Sequence, residues 1–519
     1  MELEKIDNTW DLVVVGGGIT GAGVLREAVR MGLKTLLVEK MDFAWGTSSR
    51  SSKLVHGGLR YLKQGQLYLT YESVRQRQRL LQEAPGLVSE IDFLMPVYKK
   101  KGPGRLTLSM GLALYDMMAR KRYHSYYKKD EFAGMVPGLD TDGLSGGFRF
   151  MDAQTDDVRL VLRLISEARE KGGTAINYTA VTRINRDDAG TLTGITMEDT
   201  ETGASRTVST PAVINATGAW AESLHPVHES GMHLRPLRGS HLVIPLERLP
   251  LDHAVTLIHP QDSRPLFIIP WEGALILGTT DIDHGGDINT EITATPQEAT
   301  YMLECLNAHF PDAKVTLADC VASYAGIRPV LTKKESTDPS KESREHVIWS
   351  DNGLVTVTGG KLTTFRILAA DAIKAAENWL PEKSPLDLKA PAFEPVQAAP
   401  DETTGLSPET WQKLYGRYGK QADAMIKNAT EANLSRIPGT HTLWAELPFL
   451  AQTEHIRHLT DLLLRRVRIG MLLPEGGREH LPRIRQLCEP ALPWDNDRWE
   501  AEIRMYLDYV STALGVPRA

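Results

Sequence analysis

Residues 11 to 40 read DLVVVGGGITGAGVLREAVRMGLKTLLVEK. The stretch divides into an apolar strand, a glycine turn, an amphipathic helix and a second apolar strand that ends on an acid. That context turns the G-x-G-x-x-G spacing into a dinucleotide-binding fingerprint, because the glycines serve a strand and a helix that are both present. Gly16 turns the chain tightly, Gly18 lets a pyrophosphate approach the backbone, and Gly21 allows close packing of the helix on the sheet. An anion held there meets the helix N-terminus, where free N–H groups and the helix dipole favour negative charge. Glu39 closes the second strand, where a carboxylate can take both ribose hydroxyls of an adenosine.

Later segments rebuild the same sheet. PAVINATGAWAE (211–222) is an apolar strand running into Ala216, Thr217 and Gly218, and GLVTVTGGKLTTFRILAADAI (353–373) repeats strand, glycine pair and helix. Between them, stretches such as SHLVIPL and PLFIIPWEGALILGTTDID alternate like antiparallel strands. The predicted fold is α/β: a discontinuous Rossmann-like domain (8–95, 150–235 and 325–378) with an inserted antiparallel β-rich substrate domain (96–149 and 236–324). Five prolines between 381 and 400 mark a linker (379–402) that cannot continue a helix. Beyond it, 403–519 carries helical periodicity and reads as a helical domain.

The whole chain narrows the function classes. Its 519 residues suit several domains, and a net charge of −7 gives no general attraction to nucleic acid. Cys305, Cys320 and Cys488 lie far apart, without metal-type spacing, and suit a reducing compartment. The N-terminus is polar through Asp7 and then enters a strand, which leaves no room for a signal peptide. No apolar run reaches the roughly 18 residues of a membrane span. These features predict a protein that is cytoplasmic or peripheral to the inner face of a membrane. With no second G-x-G-x-x-G unit, a nicotinamide site is unsupported, and the later glycine and hydroxyl turns suit a long dinucleotide held along its length.

The ordered motifs GGGITGAG, TSSRSSKLVHGGLRYL, DAQTDDVRLV, NATGAW, RGSHLVIP, LGTTDID, YAGIRPV and GGKLTTFR closely resemble those of the FAD-dependent glycerol-3-phosphate dehydrogenases, within the D-amino-acid-oxidase-like flavoproteins. The resemblance covers residues 10 to 375, with a weaker match in the helical part. It implies noncovalent FAD, oxidation of sn-glycerol 3-phosphate to dihydroxyacetone phosphate, and quinone as electron acceptor. Related oxidases use oxygen, and another polyol phosphate such as erythritol 4-phosphate would suit the same chemistry. A flavin scaffold without turnover would need none of the cationic residues named below. The oligomeric state stays open, a homodimer being one option.

The resemblance also implies site residues. Thr47, Ser48, Ser49, Lys53, His56, Gly57, Gly58, Val181, Ala216, Thr217, Gly218, Gly326, Gly360, Lys361, Leu362, Thr363 and Thr364 join Gly16, Gly18, Gly21 and Glu39 along the cofactor. Gly57 and Gly58 would let the main chain lie close to the flavin and deliver Arg60 and Tyr61 to the substrate side. A phosphorylated polyol carries about two negative charges, and Arg60, Arg328 and Arg344 would meet them as permanent planar cations. His241 is the candidate general base because an imidazole titrates near neutrality. Arg328 could instead orient the alkoxide, and Lys361 would stabilise negative charge spreading on the flavin.

One stretch bears on location. Tyr98 to His124 brackets an apolar, methionine-containing segment with basic ends, which suits a helix lying in an anionic membrane interface. Leu112 and Met117 are its expected inserting side chains.

Overall fold

The computed structural model describes residues 3–63, 65–99, 102, 104–225, 233–332, 346–396 and 405–517, without the side chains of Arg60 and Lys63. The opening stretch folds as read: β1 (Leu12–Val15), α1 (Ile19–Arg30) and β2 (Thr35–Val38). Every residue of β1 and β2 is buried. Such continuous apolar runs are what a parallel sheet covered on both faces requires. Val13 pairs with Leu36 on one side and Val213 on the other, and Val213 pairs in turn with Leu354. The sheet runs His346–Asp351, Leu354–Gly359, Val213–Asn215, β1, β2, Thr174–Ile176, parallel except at the first strand. Both late segments therefore return to it.

α1 is covered by the helices Asp157–Glu170 and Phe365–Ala376. A Cβ on Gly23 would stand 2.9 Å from Phe365, so close packing needs glycine there. Asp156 caps the first of these helices by accepting the N–H groups of Val158 and Arg159. Leu25, Ala28, Leu37, Val161, Ile165 and Ala369 make the core between these layers.

The second sheet has nine strands among the described residues, nearly all antiparallel. It takes in Val88–Tyr98, Leu144–Thr155, His233–Pro245 and Ala322–Thr332. The domain boundaries expected at 95/96, 149/150, 235/236 and 324/325 thus fall inside strands, and these strands pair within the second sheet on both sides of those positions. A further three-stranded sheet, Thr179–Arg186, Leu192–Asp199 and Ser205–Ser209, flanks the first one.

The proline-rich segment is a strap rather than a loose tether over its described part, which ends at residue 396. Carbonyls of Leu388, Ala390 and Pro391 accept from Arg79 (2.8 Å), Arg366 (2.6 Å) and Arg30 (3.1 Å). Phe393 is buried. The C-terminal part is helical, from Pro408–Tyr418 to Asn496–Ala513, around its own core of Trp411, Leu414, Leu447, Leu462 and Trp499.

Candidate active site

The glycine turn divides its three fingerprint glycines by cause. Gly16 has φ +109°, and a Cβ there would stand 2.7 Å from the Ala216 carbonyl oxygen. A Cβ on Gly21 would be 1.9 Å from the Gly16 carbonyl oxygen, so the helix could not pack. Gly18 is different: its Cβ would meet only Ser48 Oγ, at 3.2 Å. The protein itself does not demand glycine at 18. The space left open lies at the N-terminus of α1, which has no capping side chain from Gly18, a cradle of the kind that suits a pyrophosphate.

Around that cradle, Ser48 Oγ accepts the Ile19 N–H at 3.0 Å. Glu39 accepts the N–H groups of Gly17 (2.6 Å) and Met41 (2.9 Å). Burial raises the Glu39 pKa, against the pull of these two hydrogen bonds. The Glu39 carbonyl accepts the Thr179 N–H at 2.8 Å, so the strand carrying Val181 starts beside Glu39. Ala216 donates to Val15, Thr217 hydrogen-bonds to Asn215, and the Gly218 carbonyl accepts from Thr358, which fixes the turn after the third parallel strand.

The segment 47–61 connects this half to the second sheet. Thr47 Oγ1 donates to the Ile327 carbonyl at 2.5 Å, and Ser49 Oγ donates to Trp45. Gly326 faces Gly239 in the register, and a Cβ on Gly326 would press on Arg50 at 2.7 Å. Ser52 Oγ lies 2.8 Å from His241 Nε2. His241 is 1% exposed, stacks on Tyr324 at 4.6 Å, and leaves Nδ1 without a hydrogen-bond partner among the described residues. Burial, then the charges of Arg328 and Lys53, hold its pKa well below the usual histidine range. Arg328 donates to Asp281 (2.8 Å), the Thr280 carbonyl (3.2 Å) and Thr279 Oγ1 (2.9 Å), and its side chain remains 22% exposed.

At the other end of the segment, the His56 ring stacks on Tyr61, and Lys361 Nζ lies 3.7 Å from the centre of the Tyr61 ring. Thr363 Oγ1 donates to the His56 carbonyl (3.3 Å) and Thr364 Oγ1 to that of Lys361 (3.4 Å). Gly360 has φ +72° and Leu362 packs on the core of the dinucleotide domain. Hence one stretch of chain brings the His241 and Arg328 strands and the Lys361 turn to the same region.

Protein packing alone already demands glycine at 57 and 58: a Cβ on Gly57 would stand 2.3 Å from Tyr115 Oη and 2.5 Å from Val74, and one on Gly58 2.1 Å from the Tyr61 ring. Other expectations need correction. Lys53 is wholly buried and its ammonium contacts Asp157 (2.8 Å) and the Ser49 carbonyl (2.7 Å), so it braces the loop instead of reaching for a ligand. Burial, aided by Arg468, draws its pKa down to about 8. Leu112 is buried at 1% and is no inserting side chain, whereas Met117 is 67% exposed. Arg344 lies outside the described residues, and Arg60 is described only by its backbone in the short helix Leu59–Lys63.

Other residues of the site escaped the sequence reading. Asp152 accepts from Arg77 (3.0 Å), Tyr115 (2.9 Å) and the Gly57 N–H (3.2 Å), a buried network that anchors the 56–58 turn. Asp152 and Asp281 stand inside motifs quoted above, which was a signal; Arg77 and Tyr115 stand in ordinary helical sequence and gave none. Among the described residues no cluster of His, Cys, Asp or Glu could hold a metal ion.

The profile of the family described as FAD dependent oxidoreductase matches residues 11–366, and that of the C-terminal domain of alpha-glycerophosphate oxidase matches 373–499. The aerobic glycerol-3-phosphate dehydrogenase of Staphylococcus haemolyticus (strain JCSC1435) is 33% identical over 482 residues, covering 88% of this chain and 86% of that protein. The chain belongs to the FAD-dependent glycerol-3-phosphate dehydrogenase family. A solved dehydrogenase of this family, from Bacillus halodurans and complexed with FAD, superposes with a TM-score of 0.76 at 26% identity over 98% of this chain and 96% of that one. The L-alpha-glycerophosphate oxidase of Mycoplasma pneumoniae shares the fold alone, with a TM-score of 0.59 at 18% identity over 75% of this chain and 99% of that one. As a member of this dehydrogenase family the chain is an oxidoreductase with FAD as its cofactor. The open cradle at Gly18, the carboxylate of Glu39 and the N-terminus of α1 suit FAD's adenosine diphosphate half.

Proposed function

We propose that the chain oxidises sn-glycerol 3-phosphate to dihydroxyacetone phosphate and passes the electrons to a membrane quinone. The observation that carries this reading is the presence, on neighbouring strands, of a buried neutral imidazole, His241, and a guanidinium, Arg328, which Asp281 fixes and which stays 22% exposed. FAD, held noncovalently, supplies the redox chemistry by accepting hydride. His241 takes the hydroxyl proton on Nδ1 in the tautomer whose Nε2–H donates to Ser52 Oγ. Arg328 binds the phosphate or orients the reacting oxygen, with Arg60 and Arg344 as further phosphate partners. Lys361, steadied on the Tyr61 ring, offsets negative charge that builds during transfer.

Electrons taken from a cytoplasmic substrate need an outlet, and a lipid-soluble quinone requires contact with the inner membrane from its cytoplasmic side. No helix of the described residues is long and apolar enough to cross a membrane. Support for surface contact comes from the helix Arg105–Ala119, where Leu106, Met110 and Met117 are 74%, 61% and 67% exposed. The helix Leu67–Glu83 also exposes Leu67, Tyr68 and Tyr71. Leu106, Met110 and Met117 share one helical stripe, with Arg105, Arg120 and Lys121 exposed at its ends.

Anaerobic flavin reduction by a panel of polyol phosphates tests the substrate. Fast reduction by glycerol 3-phosphate, with slow reduction by erythritol 4-phosphate and by unphosphorylated glycerol, is expected. Equal reduction by glycerol would reject the cationic pocket.

A further inference from the structure

Among the contacts between the C-terminal helical domain and the dinucleotide domain, one short stretch, LLLRRVR (462–468), reaches the loops beside the glycine turn. Leu462–Arg466 forms a π-helical turn, and Arg468 follows just before the helix Ile469–Leu472. Neighbouring residues of a regular α-helix point about 100° apart and do not share a partner. In this wider turn the guanidiniums of Arg465 and Arg466 both reach one carboxylate, Asp42. π-Helical turns of this kind are often retained at functional sites.

Asp42 is fully buried and accepts from Arg465 Nε, from Arg466 Nη1 and Nη2 (the latter at 2.8 Å) and from Asn177 (3.0 Å). It stands three residues after Glu39, on a loop that is hydrogen-bonded back to the glycine turn: Ala44 donates to the Gly17 carbonyl at 3.0 Å, and Gly17 donates to Glu39. A displacement of Asp42 therefore moves the ribose carboxylate and the glycine turn together.

The second arm is Arg468. Its Nη2 donates to the Ser49 carbonyl at 2.9 Å, where Lys53 also donates, and its Nη1 lies 3.5 Å from Asp157. Ser48, the adjacent residue, holds the Ile19 N–H at the start of α1. Beside the Asp42 contact the domain seam is not filled: a crevice of about 270 Å³ is lined by Phe43, Arg169, Gln421, Glu454 and His455. Polar clamps, more than apolar packing, fix the seam at this point.

We infer that Arg465, Arg466 and Arg468 are positioning residues for FAD, through which the C-terminal domain sets the two loops that grip the cofactor's adenosine diphosphate half. The inference rests on the reading of Gly18, Glu39 and Ser48 as the nucleotide site. None of the three arginines need touch FAD; two loops on either side of the α1 N-terminus are each tied to the same turn of another domain. Removing one member of a buried ion pair leaves the other charge uncompensated, which is costly and displaces its backbone.

The test uses the full-length apoprotein, titrated with FAD by flavin fluorescence and with ADP by competition. Arg466→Gln and Arg468→Ala are expected to raise the Kd of both ligands roughly tenfold or more. ADP responds as FAD does because the arms act on the nucleotide half. Arg468→Lys, which keeps the charge and loses the planar fork, is expected to fold normally and weaken both ligands by about threefold; it decides the matter where Arg466→Gln does not fold. Lys413→Met cuts another contact of the same domain, the 2.7 Å pair with Glu272 on the antiparallel sheet, and is expected to stay within about twofold of wild type. Folded arginine variants that bind ADP like wild type would overturn the inference, and so would an equal loss in Lys413→Met. Gly18→Val serves as the reference: if it binds FAD normally, the nucleotide reading falls and this inference with it, whereas loss in Gly18→Val alone overturns only the inference.

Discussion

Lys361 Nζ stands 3.7 Å from the centre of the Tyr61 ring and 3.0 Å from Ser73 Oγ, so a charge from the late glycine turn is carried by residues of the first hundred. Lys361→Met should slow anaerobic flavin reduction by roughly 10²- to 10³-fold, the usual cost of losing one preorganised electrostatic contact. Tyr61→Leu should cost less, roughly tenfold, since the ammonium stays and loses only its aromatic seat. Stopped-flow reduction measures both, and unchanged rates in Lys361→Met would remove this residue from the chemistry.

A second expectation concerns pH. His241 has its pKa depressed by burial first and by Arg328 and Lys53 next. Its neutral form therefore persists well below the usual histidine range, and the acid limb of kcat/KM lies there too. Arg328→Leu removes one positive neighbour and should move that limb upward. Stability follows the same sign: below the unfolded pKa of about 6.5 the unfolded chain binds a proton that the folded chain refuses, so stability falls as pH falls. His241→Gln should flatten this slope in urea titrations at pH 7 and pH 5. An acid limb that stays fixed in Arg328→Leu would contradict the assignment.

The glycine turn offers a clean separation. Gly21→Ala would put a methyl 1.9 Å from the Gly16 carbonyl oxygen and should unfold or strongly destabilise the domain. Gly18→Val meets only Ser48 Oγ in the protein, so the apoprotein should melt within a few degrees of wild type yet bind FAD poorly. Melting curves with and without added FAD distinguish the two.

These glycines also mark how far the sequence could be read. β1, α1 and β2 were legible because burial on both faces demands unbroken apolar runs and the turn demands Gly16 and Gly21, so local pattern and fold agree. The packing demand at Gly57 was not recoverable: its neighbours Tyr115 and Val74 are brought there by helices that the glycine pair says nothing about. The Leu112 error has a similar origin, since periodicity gives a helical stripe but not which stripe faces the interior. Asp42 and its arginines, 423 and 424 residues apart, join through tertiary packing alone.

The corrected stripe changes the membrane experiment. Leu106→Asp with Met110→Asp and Met117→Asp should leave the fold intact, because all three side chains are exposed, and should abolish flotation with anionic vesicles. Leu112→Asp should instead unfold the region by placing an unpaired charge in a core. Wild-type binding should resist high salt and yield to detergent if apolar side chains insert. Wild-type protein that never floats, and reduces oxygen rapidly, would favour a soluble oxidase.

The order in which the first sheet is assembled has a consequence for synthesis. β1 leaves the ribosome early, yet its neighbour Val213–Asn215 follows much later and Leu354–Gly359 later still. Asp42 waits for Arg466, 424 residues downstream, which at 5–20 residues per second is roughly 20 to 85 seconds of translation. Until Val213–Asn215 emerges the nascent chain carries an apolar strand with an open edge, and until Arg466 emerges it carries a carboxylate without its full set of partners. Shielding by a chaperone is therefore most needed in the first half of synthesis, and tight capture of the cofactor belongs to the finished chain.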